Sequence, residues 1–456
     1  MVEYILGIDG ASLQKVKEMT KEASLKNFEK ILNEGQSCHL KSVIPYVTGP
    51  AWTSLFTGVN PGKHGIFDMY TEENGTRIVP SISQTNIPFL WEYATWAGKK
   101  SLVLGVPFYY PAPVINGVFV TGRFVPKLDC YPKWITEKYD VSGFDYSKKI
   151  TNLGDNQELR KISVNNAMEM LDRRIKLFDS LVKAEKWDLV VNIDSMPDEI
   201  MHIAYNWRPR IIEMYSKLDE LLGIIVRRST SQDNIFVVSD HGFQGIVKKF
   251  YLLEWMRRYG YVKRESYFRA KLKRIRGFNR IVRKLKHTLN ITHLAEEEGL
   301  IPNIKGAENR DTVRLARTTG DHAWVFINQT MANEDFVQKL RMALTSLIKI
   351  GYLQGVYDTR ELYHGEKVAQ LPNRIIVESA QGVLIDVKTL TYGKLEHMYP
   401  KPVGGHDRNG LLIIWGKGMK QIGKDDRSIY DILPTTLKIM KLPIPDFLDG
   451  FPIEIT

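Results

Sequence analysis

Six side chains in this sequence have the types and positions needed to hold divalent cations. Asp9 ends the apolar run Tyr4-Ile-Leu-Gly-Ile8, and Asp240 and His241 follow Asn234-Ile-Phe-Val-Val-Ser239. Asp198 lies shortly after Trp187-Asp-Leu-Val-Val-Asn-Ile193, and His202 stands four residues beyond it. That spacing puts both side chains on one face of a helix, where they can share a cation. His406, within Gly404-Gly-His-Asp407, precedes a further apolar run at 410–415. Each piece alone has an ordinary explanation. An Asp at a strand end caps the next helix, an Asp and His four apart form a surface pair, and Asp-His-Gly makes a turn. Three Asp and three His recurring at successive strand ends form a set that these explanations do not cover, and it is large enough for two ions. Oxygen and nitrogen donors alone do not choose between zinc, manganese and iron.

A hydroxyl completes the set. Thr48 precedes Gly49-Pro50 at the expected start of a helix, because proline suits a first helical turn. A hydroxyl there sits near the positive end of the helix and its unpaired N–H groups, which favours a phosphate; the alternative is a plain N-cap.

These residues need a frame. In an open parallel α/β sheet, functional groups collect beyond the carboxyl ends of the strands. Short, mostly apolar runs predict buried strands at 4–8, 40–47, 101–106, 187–193, 234–239 and 410–415. Helices are expected at 13–33, from Thr48, and at 89–97, 163–184, 209–227 and 428–442, with a turn at 60–65. The alternation gives an α/β sandwich with a mostly parallel sheet covered on both faces. Residues 1–245 and 398–456 are assigned to this core, and 246–397, with its own strands and helix, to an inserted α+β cap.

Taken together, the motifs resemble the type I phosphodiesterase/nucleotide pyrophosphatase family of the alkaline phosphatase superfamily. The segments that carry the resemblance are GIDG at 7–10, TGPAWTSLFTGVNPGKHGIFD at 48–68, PDEIMH at 197–202, SDHGF at 239–243, GGHDRNG at 404–410 and the C-terminal 431–453. The resemblance implies an alkaline-phosphatase-like three-layer sandwich. It also implies a two-metal phosphodiesterase or pyrophosphatase in which Thr48 attacks phosphorus and forms a phospho-threonine. Asp9, Asp240 and His241 would ligate the ion that also meets Thr48, and Asp198, His202 and His406 the second ion, with zinc the usual metal. The substrate would be a nucleotide or another small anionic phosphodiester or pyrophosphate.

One position departs from the pattern. Nucleotide pyrophosphatases of the family carry Asn three residues after the threonine, where this chain has Ala51. A phosphate would then rely on the ions, the N–H of Gly49, and Lys63 or His64, whose other reading is a solvated turn. Two alternatives stay open: a phosphomonoesterase or phosphotransferase of the same superfamily, and a non-catalytic protein that binds anionic ligands.

Composition bounds the rest. The chain has 456 residues, 43% hydrophobic and 25% charged, which excludes a disordered or low-complexity protein. Cys38 and Cys130 are the only cysteines, so a disulfide framework is not expected and a reducing cytoplasm fits. No stretch reads as a signal peptide or an apolar span. Net charge is +11, of which +10 falls between Lys263 and His287, so total charge does not argue for an obligate nucleic-acid partner. That window has apolar residues at helical spacing and reads as a basic amphipathic helix. It could be a cap helix with a solvated face, a concentrator of anionic substrates, or a contact for an acidic membrane surface or nucleic acid. His322, His364 and His397 read as structural or surface histidines, and Trp52 as packing beneath the site in preference to stacking on a substrate base. Oligomeric state has no signature here.

Overall fold

The computed structural model describes residues 1–73, 76–147, 156–262, 313–317, 320–327, 334–371, 374–389, 391, 393–416 and 426–454. The basic window Lys263–His287 lies outside the described residues. These fall into two compact units, one of 1–247, 360–370 and 400–456, the other of 248–359 and 371–399.

The first unit is built on a sheet that has nine strands among the described residues. From edge to edge they are Arg427–Ser428, Gln36–Lys41, Asn409–Gly416, Asn234–Val238, Glu3–Ile8, Leu189–Asp194, Ser101–Val106, Gly117–Thr121 and Cys130–Tyr131. The five from Asn234–Val238 to Gly117–Thr121 are mutually parallel. Side-chain alternation explains the layers: Tyr4, Leu6 and Ile8 enter the core on one face and Ile5 the core on the other. The first face is covered by helices Leu13–Ala23, Lys26–Glu34, Gln157–Ala184 and Arg208–Arg228, the second by Thr48–Thr57, Leu90–Trp96 and Ile432–Ile439. This is the expected α/β three-layer sandwich.

Three local expectations need correction. The strand expected at 40–47 runs instead over Gln36–Lys41, because its partner Asn409–Gly416 begins opposite Lys41 and offers nothing further to pair with. The helix expected at 13–33 breaks at Ser24, which is left-handed (φ 53°), and the second helix is started by Asp219, whose Oδ1 accepts from the N–H groups of Asn27 (3.0 Å) and Phe28 (2.8 Å). Residues Pro61–His64 form a helical turn rather than an open one, capped by Asn60, whose Oδ1 accepts from Gly62 N at 2.8 Å.

The second unit holds an antiparallel sheet, Val313–Arg317, His322–Ile327, Arg374–Ser379 and Leu353–Asp358, packed on the helix Glu334–Lys349. Residues 360–370, assigned from sequence to the insertion, group with the first unit. Tyr363 donates to Ile44 O at 2.6 Å, and His364 Nε2 lies 2.8 Å from Asp449 Oδ1. Among the described residues no helix is long and apolar enough to cross a membrane.

Candidate active site

Strand direction brings the acidic and imidazole side chains together. Asp9, Asp198, Asp240 and His241 follow the carboxyl ends of adjacent parallel strands. Asn409–Gly416 is antiparallel to Asn234–Val238, so its beginning lies at that same edge, and His406 arrives there just before the turn. Gly10 lets the chain leave the first strand: its φ is +74°, and an added Cβ would lie 3.4 Å from Asp198 Cβ. The Gly10 N–H is 3.3 Å from Asp240 Oδ1, while Ser239 Oγ accepts from Ala11 N (2.8 Å) and donates to His241 O (2.6 Å). Two strand-end loops are thereby tied to each other.

Two sets of ligand atoms result. In the first, Asp198 Oδ1 lies 3.2 Å from His202 Nε2 and 3.3 Å from His406 Nε2, and the two nitrogens are 2.8 Å apart. Zinc bonds of 2.0–2.1 Å at tetrahedral angles separate ligands by about 3.3 Å, so these atoms have nearly the spacing of three corners of such a site. Around His241 Nε2 lie Asp9 Oδ1 at 3.5 Å and Asp240 Oδ2 at 3.3 Å, and the second group of mutually close ligand atoms joins Asp9 and His241 with Asp198, which the two groups share. His241 Nδ1 is 3.0 Å from Gly242 O, and a carbonyl only accepts, so this nitrogen carries the proton and Nε2 turns a lone pair toward the carboxylates. Asp9 Oδ1, Asp240 Oδ2 and His241 Nε2 are buried with no hydrogen-bond partner among the described residues. Lone pairs facing one another in a buried site fit a divalent cation.

Protonation tendencies agree. Burial, then Asp240 and Asp198, pushes the Asp9 carboxyl well above its usual range; burial, then Asp198, does the same to Asp240. Burial also raises Asp198, but His202 and His406 outweigh it and hold that carboxyl well below the carboxylate range. Burial and the neighbouring His241 lower His406 to about 3, which keeps its imidazole neutral. His202, with its side chain 36% exposed, opens the site to solvent.

Thr48 is the first residue of the helix Thr48–Thr57. The N-cap is Val47, which has no hydroxyl, so Thr48 is not the capping group. Trp52, one turn on and on the same face, directs its indole N–H to Asp9 Oδ2 at 3.4 Å, which ties this helix to the carboxylates. Trp52 is fully buried and packs under the sheet, as its sequence context suggested. Ala51 is also buried, within the apolar core, so position 51 offers no polar group to a phosphate. Gly49 lies beside Phe108 and the backbone of Asp68.

The two remaining substrate-binding candidates are engaged elsewhere. Lys63 binds Asp449 and Phe447 O. His64 is fully buried, with Nε2 2.9 Å from Ser54 Oγ and Nδ1 accepting from Ile66 N at 3.0 Å, and burial lowers it to about 3. His364 contacts Asp449, His322 is buried in the second unit, and His397 lies against Tyr399; none joins a group of candidate ligands.

One residue at the site was missed from sequence. Arg123 places NH1 3.2 Å from Asp198 Oδ2 and NH2 3.6 Å from Glu199 Oε2. It is the first charge after the uncharged stretch Ser101–Gly122 and directly follows a parallel strand, a signal of the same kind as that for Asp9.

Residues 4–335 match the family model described as type I phosphodiesterase/nucleotide pyrophosphatase. No curated protein sequence matches the chain. Among solved structures, phosphonoacetate hydrolase from Sinorhizobium meliloti 1021 is similar with a TM-score of 0.60 at 13% identity, covering 96% of this chain and 95% of that one. Murine ectonucleotide pyrophosphatase/phosphodiesterase 5 gives 0.55 at 13%, covering 100% and 97%. The alkaline phosphatase PafA gives 0.56 at 16%, covering 99% and 98%. At these identities the likeness is one of fold.

Proposed function

We propose that this chain, which belongs to the type I phosphodiesterase/nucleotide pyrophosphatase family, hydrolyses phosphodiester or pyrophosphate bonds, of nucleotides or similar small anions, through the hydroxyl of Thr48. Asp9, Asp240 and His241, together with Thr48, would hold one divalent ion, and Asp198, His202 and His406 a second, with zinc the best match to the donors. The carrying observation is the spacing of Asp198 Oδ1, His202 Nε2 and His406 Nε2, all within 3.3 Å of one another. Bound there, divalent ions would lower hydroxyl and water pKa values and offset charge on the phosphoryl group.

The chain's own residues do the rest. Thr48 Oγ forms a bond to phosphorus as the bond to the leaving oxygen breaks, and the departing group takes up a proton. The N-terminal turn of the Thr48 helix and the Gly49 N–H favour the phosphoryl oxygens. Water then displaces Thr48 Oγ from phosphorus, and the hydroxyl regains its proton. Two in-line displacements retain configuration. With Lys63 bound to Asp449 and the Arg123 guanidinium bound to Asp198 and Glu199, both cations are already engaged and add little for the second charge of a monoester, which favours a monoanionic diester. The buried, free thiols of Cys38 and Cys130 fit a cytoplasmic setting.

The test is a panel of diester, pyrophosphate, phosphonate-ester and monoester chromogenic substrates, with the protein reconstituted in zinc, manganese or magnesium. The expectation is kcat/KM for the diester or pyrophosphate above that for the monoester. A monoester preference, or no turnover with any ion, would overturn it.

A further inference from the structure

We propose that Arg123 is a positioning residue for the Asp198–His202–His406 set: its guanidinium fork holds Oδ2 of Asp198 and leaves Oδ1 turned to the ion. The inference rests on reading that set as an ion site. Oδ2 of Asp198 is 3.2 Å from Arg123 NH1, whereas Oδ1 is the oxygen that faces both histidines, at 3.2 and 3.3 Å. The other arm of the fork reaches Glu199 Oε2, the next residue on the same helix, so the guanidinium spans two consecutive acidic side chains and fixes their orientation.

Arg123 is itself held firmly. Its backbone carbonyl accepts from Phe108 N at 2.8 Å. Phe108 and Phe124 both adopt the left-handed backbone at φ 62°, uncommon for bulky side chains, and their rings stack at 4.7 Å. The guanidinium carbon lies 4.5 Å from the Phe124 ring centre, and the Arg123 side chain is only 12% exposed. Two strained positions at the ends of neighbouring strands thus serve to aim one cation at one ligand.

Charge and orientation predict opposite signs. A guanidinium acting through its charge alone repels a nearby cation, so its removal would tighten ion binding. A guanidinium acting by orientation makes binding weaker when it is lost, as for other groups that orient metal ligands, by about 10- to 100-fold.

The experiment titrates the metal-stripped full chain with zinc against a chromogenic chelator, for the wild type, Arg123→Met and Arg123→Lys. The step lost in His406→Ala identifies the ion of this set. The proposal expects that ion to bind about 10- to 100-fold more weakly in both Arg123 variants, with the other ion unchanged, because lysine keeps the charge but lacks the fork. Unchanged or tighter binding in Arg123→Met, or wild-type affinity in Arg123→Lys, overturns it. If Arg123→Met does not fold, Arg123→Lys carries the same two outcomes. A wild type that binds fewer than two ions overturns the two-ion reading itself, a result distinct from two ions held equally by all three proteins.

Discussion

The indole N–H of Trp52 points at Oδ2 of Asp9 across 3.4 Å, joining the helix that begins at Thr48 to the strand that delivers a candidate ligand. The contact is possible because residue 7 is glycine: a Cβ there would lie 2.6 Å from the Trp52 ring. Gly7→Ala should therefore push the ring away, with a loss of about 1–3 kcal/mol in stability from overpacking. Trp52→Phe should keep most of the packing, lose the hydrogen bond, and lower kcat/KM about tenfold at nearly unchanged melting temperature. Thermal melts and diester kinetics on both variants check this. Full activity in Trp52→Phe would show that the contact is packing only.

Thr48→Ala should remove turnover by at least about a thousandfold, because it deletes the proposed nucleophile. Thr48→Ser should retain part of the activity. Metal content, measured by plasma mass spectrometry, should stay at two ions in the serine variant. Activity in Thr48→Ala within tenfold of wild type would assign the attack directly to water.

Ion binding should release protons. Asp9 and Asp240 sit well above the usual carboxylate range without an ion, so an incoming cation displaces protons from them; Asp198, held well below that range, contributes none. Apparent zinc affinity should therefore rise with pH. Calorimetry in two buffers of different ionisation enthalpy should register net proton release, and no release would contradict the assignment of Asp9 and Asp240 as ligands.

At the opposite edge of the sheet, burial raises Glu3 from 4.5 to about 8 despite a hydrogen bond from Asn234 Nδ2 at 2.8 Å. The folded chain keeps this proton while the unfolded chain releases it, so stability falls as pH rises from 4.5 toward 8. The slope is about 1.4 kcal/mol per pH unit at most. Glu3→Gln should melt like the wild type near pH 4 and at a higher temperature near pH 8. Equal melting shifts at both values would refute the burial argument.

Much of this was legible in the sequence because strands buried on both faces must be continuously apolar, and each such run ends at the edge where ligands collect. That is why Asp9, Asp198, His202, Asp240, His241 and His406 could be picked out as candidate ligands from spacing and resemblance. Strand limits were less legible: Gln36–Lys41 ends where its partner ends, a tertiary fact that residues 42–47 do not announce. Lys63 and His64 carried the right chemistry for a phosphate, but their partners Asp449 and Ser54 are fixed by packing, in one case from the far end of the chain. Arg123 went unnoticed because its partners, Asp198 and Glu199, are 75 or more positions away.

The most direct test of the account is the stereochemical course at phosphorus. A chiral phosphorothioate diester hydrolysed by the zinc-reconstituted protein should yield product with retained configuration, from two in-line displacements with Thr48 phosphorylated between them. Inversion would mean a single displacement by water and would contradict Thr48 as the nucleophile.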